Sequence, residues 1–271
     1  MTSPPTDAEL GDRLPAALAE YFEALDDGRP AAAAATFAAD AVYAVPVGGG
    51  PETDARAVTV GGDAIAARFV ERGAQPYVHD VLRCARDHRD VGLEGVIRDR
   101  SDGRALMSFA ATAQLGDDGS IVRYLAFSSP VVPPPPATDR AGPPPGAAIE
   151  VVDRYFRALG AGRFEDAAAC FSPDVMYSHP PDQDPSIAGP GRAEFNGREE
   201  LTAAFHRRGR QEIAHTIVFS CQAGADLLLE GVVGDADGGL RGSFVSAASL
   251  DADGLIRRYV AWYTQPGVAR R

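Results

Sequence analysis

The sequence contains no lysine; all 26 of its Lys+Arg residues are arginine. Without an amine side chain, imine catalysis on a lysine, a pyridoxal-phosphate anchor and a P-loop lysine are excluded. Cysteine is scarce as well. Cys84, Cys170 and Cys221 form no C-x-x-C pair and leave an odd count, which leads us to expect reduced, structural thiols in a cytoplasmic protein. No stretch approaches the ~18 continuous apolar residues of a membrane helix. Met1 to Asp12 is acidic and polar rather than signal-like, so a soluble, unexported chain is expected.

Other absences narrow the chemistry. There is no G-x-G-x-x-G opening a helix, no G-x-S-x-G elbow, no H-x-x-x-H pair and no cysteine with a matched histidine. Neither a metal nor a cofactor is therefore expected. Asp182-Gln183-Asp184 is read as a short acidic loop. The net charge is −12, with −8 in the first 130 residues and −4 in the rest. The densest basic cluster, Arg207, Arg208 and Arg210, reads as a solvated helix end. A nucleic-acid partner needs a basic stripe, and none is present.

At roughly 150 residues per domain, the length suggests two domains. Residues 131–147 hold seven of the 21 prolines and read as a semi-rigid linker. The segments on either side match each other. Tyr21-Phe22-x-Ala24-Leu25 recurs as Tyr155-Phe156-x-Ala158-Leu159, and Asp40-x-x-Tyr43 recurs as Asp174-x-x-Tyr177. Arg72-Gly73-x-Gln75-x-x-x-His79 recurs as Arg208-Gly209-x-Gln211-x-x-x-His215. Leu93-Glu94-Gly95-Val96 and Ser108-Phe109 recur as Leu229-Glu230-Gly231-Val232 and Ser243-Phe244. Asp118-Gly119-x-x-x-Arg123-Tyr124 recurs as Asp253-Gly254-x-x-x-Arg258-Tyr259. The offset drifts only from 134 to 136, so the chain is a tandem duplication, with domains expected over 10–130 and 148–266.

Each copy carries one pattern. In the first, an amphipathic helix is expected over Leu14 to Leu25, ended by Asp26-Asp27-Gly28. A second helix is expected over Arg29 to Ala38, a strand over Val42 to Val47, and a third helix over Asp63 to Arg72. In the second copy Asn196 is the expected N-cap of the third helix. Four β segments follow near 77–84, 91–98, 104–115 and 120–129. Helices followed by a run of strands imply an α+β domain with helices packed on a curved antiparallel sheet.

This order, with the Tyr-Phe-x-Ala-Leu, Asp40-x-x-Tyr43 and closing Asp253-Gly254-x-Ile256-x-x-Tyr259-x-x-x-Tyr263 signatures, resembles the nuclear-transport-factor-2-like superfamily. Within it the chain is similar to the SnoaL-like polyketide cyclases and ketosteroid isomerases. The resemblance implies two tandem cone-shaped barrels, each a curved antiparallel sheet packed by about three helices around an apolar pocket. It also implies that exposed sheet faces pair, so the two repeats are expected to form an internal pseudo-dimer, with a homodimer as a further option.

The ketosteroid-isomerase pattern, a worked case of pKa tuning, implies a helix-1 tyrosine and a late-strand acid as oxyanion donors. It places a carboxylate base just before a proline. In the second copy these positions fall on Tyr155, Ser246 and His179, the last preceding Pro180. In the first they fall on Tyr21, Ala111 and Val45. Neither copy keeps the carboxylate. A histidine can serve as base and then acid at neutral pH, so His179 and His215 are the expected acid–base groups and Tyr155 the electrophilic donor. His79, Tyr21, Tyr177, Ser246, Trp262 and Tyr263 are expected to line the substrate site.

Plainer roles stand beside these. Tyr21 and Tyr155 lie on the buried face of helix 1 and suit a core tyrosine equally. His179 suits an exposed loop, while His79 and His215 suit the outer sheet face. Glu94 and Glu230 suit a surface or an interface, and His88 and His206 suit solvent. The expected activity is cofactor-free isomerisation, cyclisation, dehydration or epoxide opening on a small apolar metabolite, polyketide- or terpene-like, in secondary metabolism. The second copy is the expected active one. The alternatives are a non-catalytic carrier or sensor of such a metabolite and a scaffold of the same fold.

Overall fold

A computed structural model describes residues 14–46, 56–135, 144, 146–180, 192–235 and 237–264. Most of the proline linker, the loop after the first strand and Asp182-Gln183-Asp184 lie outside the described residues. The chain divides into two compact units between residues 137 and 138.

In the first unit, helix α1 (Ala16–Asp26) turns Leu18, Tyr21, Phe22, Ala24 and Leu25 inward, the stripe expected of a 3.6-residue period. Its end is specified by sequence. Gly28 adopts a positive φ of 67°, its N–H donates to Leu25 O, and Arg29 N–H donates to Ala24 O. That is the Schellman pattern, and it makes Asp26 the last helical residue. Helix α2 (Pro30–Ala35) opens on proline, whose missing N–H costs nothing there. It ends before the expected Ala38, because strand β1 begins at Phe37 and runs to Pro46.

A strand absent from the sequence reading, β2 (Arg56–Val60), pairs antiparallel with β1. Helix α3 (Gly62–Arg72) then crosses to the far edge. From there β3 (Tyr77–Asp87), β4 (Asp90–Asp99), β5 (Ala105–Leu115) and β6 (Ile121–Ser129) meander back. The sheet order is β2-β1-β6-β5-β4-β3.

The second unit repeats this plan. Helices α4 (Ala147–Gly160), α5 (Phe164–Ala168) and α6 (Arg198–Arg208) accompany a second sheet. Its strands are β7 (Phe171–His179), β8 (Ala193–Asn196), β9 (Ile213–Ala223), β10 (Asp226–Asp235), β11 (Leu240–Leu250) and β12 (Ile256–Thr264). Their order is β8-β7-β12-β11-β10-β9.

Three expectations are corrected. The sheets are mixed rather than antiparallel, because β1 runs parallel to β6 and β7 parallel to β12. The meander enters at the far edge through α3 or α6, which fixes the direction of its last strand against the first. The sheets are also curved but open. Asn196 does not cap α6; it ends β8, and Gly197 at φ 95° stands at the cap.

Each unit has its own core between helices and one sheet face. Tyr21, Phe22, Phe69, Leu93, Phe109 and Tyr124 meet in the first. Tyr155, Phe156, Phe205, Leu229, Phe244 and Tyr259 meet in the second.

Candidate functional site

A cavity of about 480 Å³ opens in the first unit, between α3 and the inner face of the sheet. Its wall includes Tyr21, Tyr43, Arg68, Arg72, Tyr77, His79 and Tyr124. His79 stands on β3, facing α1. Its Nδ1 lies 2.6 Å from Asp26 Oδ1, and its backbone N–H donates to Asp26 Oδ2 at 2.8 Å. A carboxylate accepts only, so Nδ1 carries the proton and the lone pair resides on Nε2. Both side chains are largely buried, at 11% exposure for His79 and 15% for Asp26. Phe22, Tyr77 and Phe109 surround the imidazole with ring centroids 5.4–5.8 Å away.

Across the cavity, Tyr21 and Tyr43 share a hydrogen bond at 3.1 Å, and Tyr43 stacks on Tyr124. Burial pushes all three phenols above their ordinary range. They therefore stay protonated at neutral pH and can donate. Arg72 donates to Tyr77 Oη at 2.9 Å and lies over that ring, while Arg68 lies over the ring of Tyr43.

The second unit places matching residues differently. Tyr155 and Tyr177 hydrogen-bond at 2.8 Å, and Ser246 and Tyr259 do so at 2.8 Å. Tyr177 stacks on Tyr259, so one cluster joins these four side chains. Burial again raises the phenols of Tyr155, Tyr177 and Tyr259. His215 faces α4, stacked on Phe156 at 4.6 Å, rather than the outer sheet face. Its Nδ1 has no hydrogen-bond partner among the described residues. Burial, aided by the charge of Arg208, pushes its pKa down to about 4. Where the first unit has Asp26, the second ends its helix on Gly160. His179 ends β7, its Nδ1 on Pro180 O and its ring against Tyr177 and Phe195. His179 and His215 share none of these contacts.

One expected site residue sits on the wrong face. Trp262 is fully buried, but Tyr259 and Ala261, not Trp262, belong to the inner core. Strand alternation turns Trp262 to the opposite side of the sheet, so it does not line the inner face. Tyr263 returns to the inner side, stacked on Phe244 and 38% exposed.

The sequence reading missed Asp26, taken there only as a helix stop, and the pair Arg68 and Arg72. No sequence signal singles Asp26 out, because its partner His79 lies 53 residues away. Among the described residues, no cluster of three or more His, Cys, Asp or Glu side chains is placed to hold a metal. Cys84, Cys170 and Cys221 are all buried. No described helix is long and apolar enough to cross a membrane.

Residues 18–124 and 152–259 each match the sequence model of the SnoaL-like domain. No functionally curated protein matches the chain. Among solved structures, the chain is similar to a candidate polyketide cyclase from Sinorhizobium meliloti, at 26% identity and a TM-score of 0.33. That match covers 42% of this chain and 94% of the other. An LEH-like epoxide hydrolase of Mycobacterium tuberculosis is 17% identical with a TM-score of 0.34, over 45% and 85% of the two chains. Rv0760c of the same organism, in complex with estradiol-17β-hemisuccinate, is 15% identical with a TM-score of 0.34, over 42% and 92%.

Proposed function

Since the chain belongs to the SnoaL-like domain family, whose fold hosts cyclases, isomerases and epoxide hydrolases, we propose that its first unit performs cofactor-independent proton transfer on a small, largely apolar metabolite. The observation that carries this reading is the 2.6 Å contact of Asp26 with His79 in the cavity wall. In a carbon-acid reaction, His79 Nε2 takes a proton from carbon, and the imidazolium formed is stabilised by Asp26. The electron pair moves to the substrate oxygen, which accepts a hydrogen bond from the tyrosine pair. Between them Tyr21 and Tyr43 hold two hydroxyl protons and use one on each other, leaving one to donate. His79 then returns its proton to a second carbon, completing an isomerisation, or to a departing oxygen, completing a dehydration. Such transfer supplies about 10²–10⁴-fold of rate.

The second unit is read differently, as one without turnover. With a pKa near 4, His215 is a weak base at neutral pH.

The test is α-proton exchange of 2-tetralone in D₂O, followed by NMR on the full chain. His79→Ala is expected to lower enzyme-dependent exchange by about 10²-fold or more. The double variant His179→Ala/His215→Ala is expected to retain it. An unchanged rate in His79→Ala would sink the assignment.

A further inference from the structure

The first unit's cavity holds more positive charge than proton transfer uses. Arg68 and Arg72 stand four residues apart on α3, on one face of the helix, and both enter the cavity wall. Like charges at that spacing oppose each other. Elsewhere the chain answers such charges with carboxylates: Arg29 meets Glu23 and Asp27, and Arg98 meets Asp80. Arg68 and Arg72 have no ion pair among the described residues. Their partners are neutral: Thr59 Oγ1 at 3.4 Å for Arg68, and Tyr77 Oη for Arg72. Asp26, the nearest acid to the base, is occupied by His79. Among the described residues the one acid of the wall is Glu71, which is exposed.

We propose that this cavity takes a substrate bearing one carboxylate on an apolar body, the carboxylate held by Arg68 and Arg72. The inference rests on the reading of the same cavity as the reaction site. Two guanidiniums against one glutamate leave the wall one unit positive, which suits a monoanion better than a phosphate dianion. Guanidinium forks match carboxylate geometry. Ile97, Met107 and Phe109 supply the apolar wall for the rest of the molecule. The second unit keeps Arg208 at the place of Arg72 but has Ala204 in place of Arg68. The two-arginine arrangement therefore belongs to the first unit.

The test compares naphthalene-2-carboxylate, its methyl ester and 2-naphthyl phosphate by calorimetric titration of the full chain at low salt. The carboxylate is expected to bind about tenfold tighter than the ester. Arg68→Gln is expected to remove that preference by weakening the carboxylate about tenfold more than the ester. Equal affinities for acid and ester, an Arg68→Gln variant that keeps the preference, or tighter binding of the phosphate would each overturn it. His79→Ala, read beside the carboxylate preference, separates the two readings. Carboxylate preference with tetralone exchange that survives His79→Ala leaves this inference standing and removes the catalytic one. Exchange that depends on His79 with no carboxylate preference does the reverse.

Discussion

Asp26 closes on His79 from two sides, its Oδ1 on the ring nitrogen at 2.6 Å and its Oδ2 on the backbone N–H at 2.8 Å. One carboxylate thus ties the end of α1 to the edge strand β3, 53 residues further along the chain. The same contact selects the imidazole tautomer and fixes its position in the cavity wall.

That double contact makes Asp26 structural as well as functional. Asp26→Ala leaves a largely buried N–H and an imidazole donor without their acceptor. It is expected to destabilise the first unit by about 1–3 kcal/mol. Asp26→Asn keeps one acceptor oxygen and is expected to cost less. Urea unfolding of the full chain, followed by near-ultraviolet circular dichroism, reads both. Equal stability of the alanine variant and the parent would show that water replaces the carboxylate.

His215 predicts a pH dependence of stability in the other unit. Its folded pKa is about 4, lowered first by burial and then by Arg208. Lowering the pKa of a base means that the fold favours the neutral ring. In the unfolded chain the ring titrates near ~6.5, so between those values the unfolded state binds more protons. This contribution is fully present above pH ~6.5 and is lost as pH falls towards 4, by about 2–3 kcal/mol in all. His215→Gln is expected to flatten that part of the stability–pH curve. An unchanged slope between parent and variant would place the titration on another group.

Much of the fold was legible because every long element was written twice. The repeated Tyr-Phe-x-Ala-Leu stripe, the Arg-Gly helix ends and the Asp-Gly turns locate the same pieces in both copies. The short strands β2 and β8 were not legible: five and four residues long, they take their state from pairing with β1 and β7. Nor was the parallel β1–β6 pairing, which the long crossover through α3 decides. At the site, His79 and Tyr21 could be named, but Asp26 could not. Its role depends on a residue far away in sequence, and Asp-Asp-Gly is also an ordinary helix stop. Trp262 was misplaced because a one-residue step along a strand changes the face.

The repeated Leu-Glu-Gly-Val segment has a steric reason. A methyl group on Gly95 would sit 2.4 Å from the Phe109 ring and 2.5 Å from Asp80 O. On Gly231 it would sit 2.3 Å from the Phe244 ring and 2.9 Å from Thr216 O. In each sheet the aromatic ring lies across the glycine of the neighbouring strand, directly beneath the histidine it contacts. Gly95→Ala and Gly231→Ala are each expected to destabilise their own unit by about 1–3 kcal/mol. Pairing Gly95→Ala with Phe109→Leu is expected to recover part of that loss. Thermal unfolding of the single and double variants measures it, and the absence of any recovery would move the strain from the ring to the Asp80 carbonyl.

The two copies also supply a transplant. Gly160 ends α4 as Asp26 ends α1, and each helix closes with the same pair of backbone bonds to Gly162 and Arg163 or to Gly28 and Arg29. A Cβ on Gly160 would meet Ile213 O at 3.3 Å, a contact that a small backbone adjustment relieves. Gly160→Asp therefore brings a carboxylate towards His215, whose Nδ1 has no partner among the described residues. An adjacent negative charge favours the imidazolium, so the pKa of His215 should rise from about 4 by about 1–3 units. The ring's titration, followed by NMR, measures this directly. A pKa that stays near 4 would mean that the Phe156 stack holds the ring out of reach. With the pKa raised, His215 becomes a competent base beside Tyr155 and Tyr177. The second unit should then contribute 2-tetralone exchange that survives His79→Ala and disappears with His215→Ala.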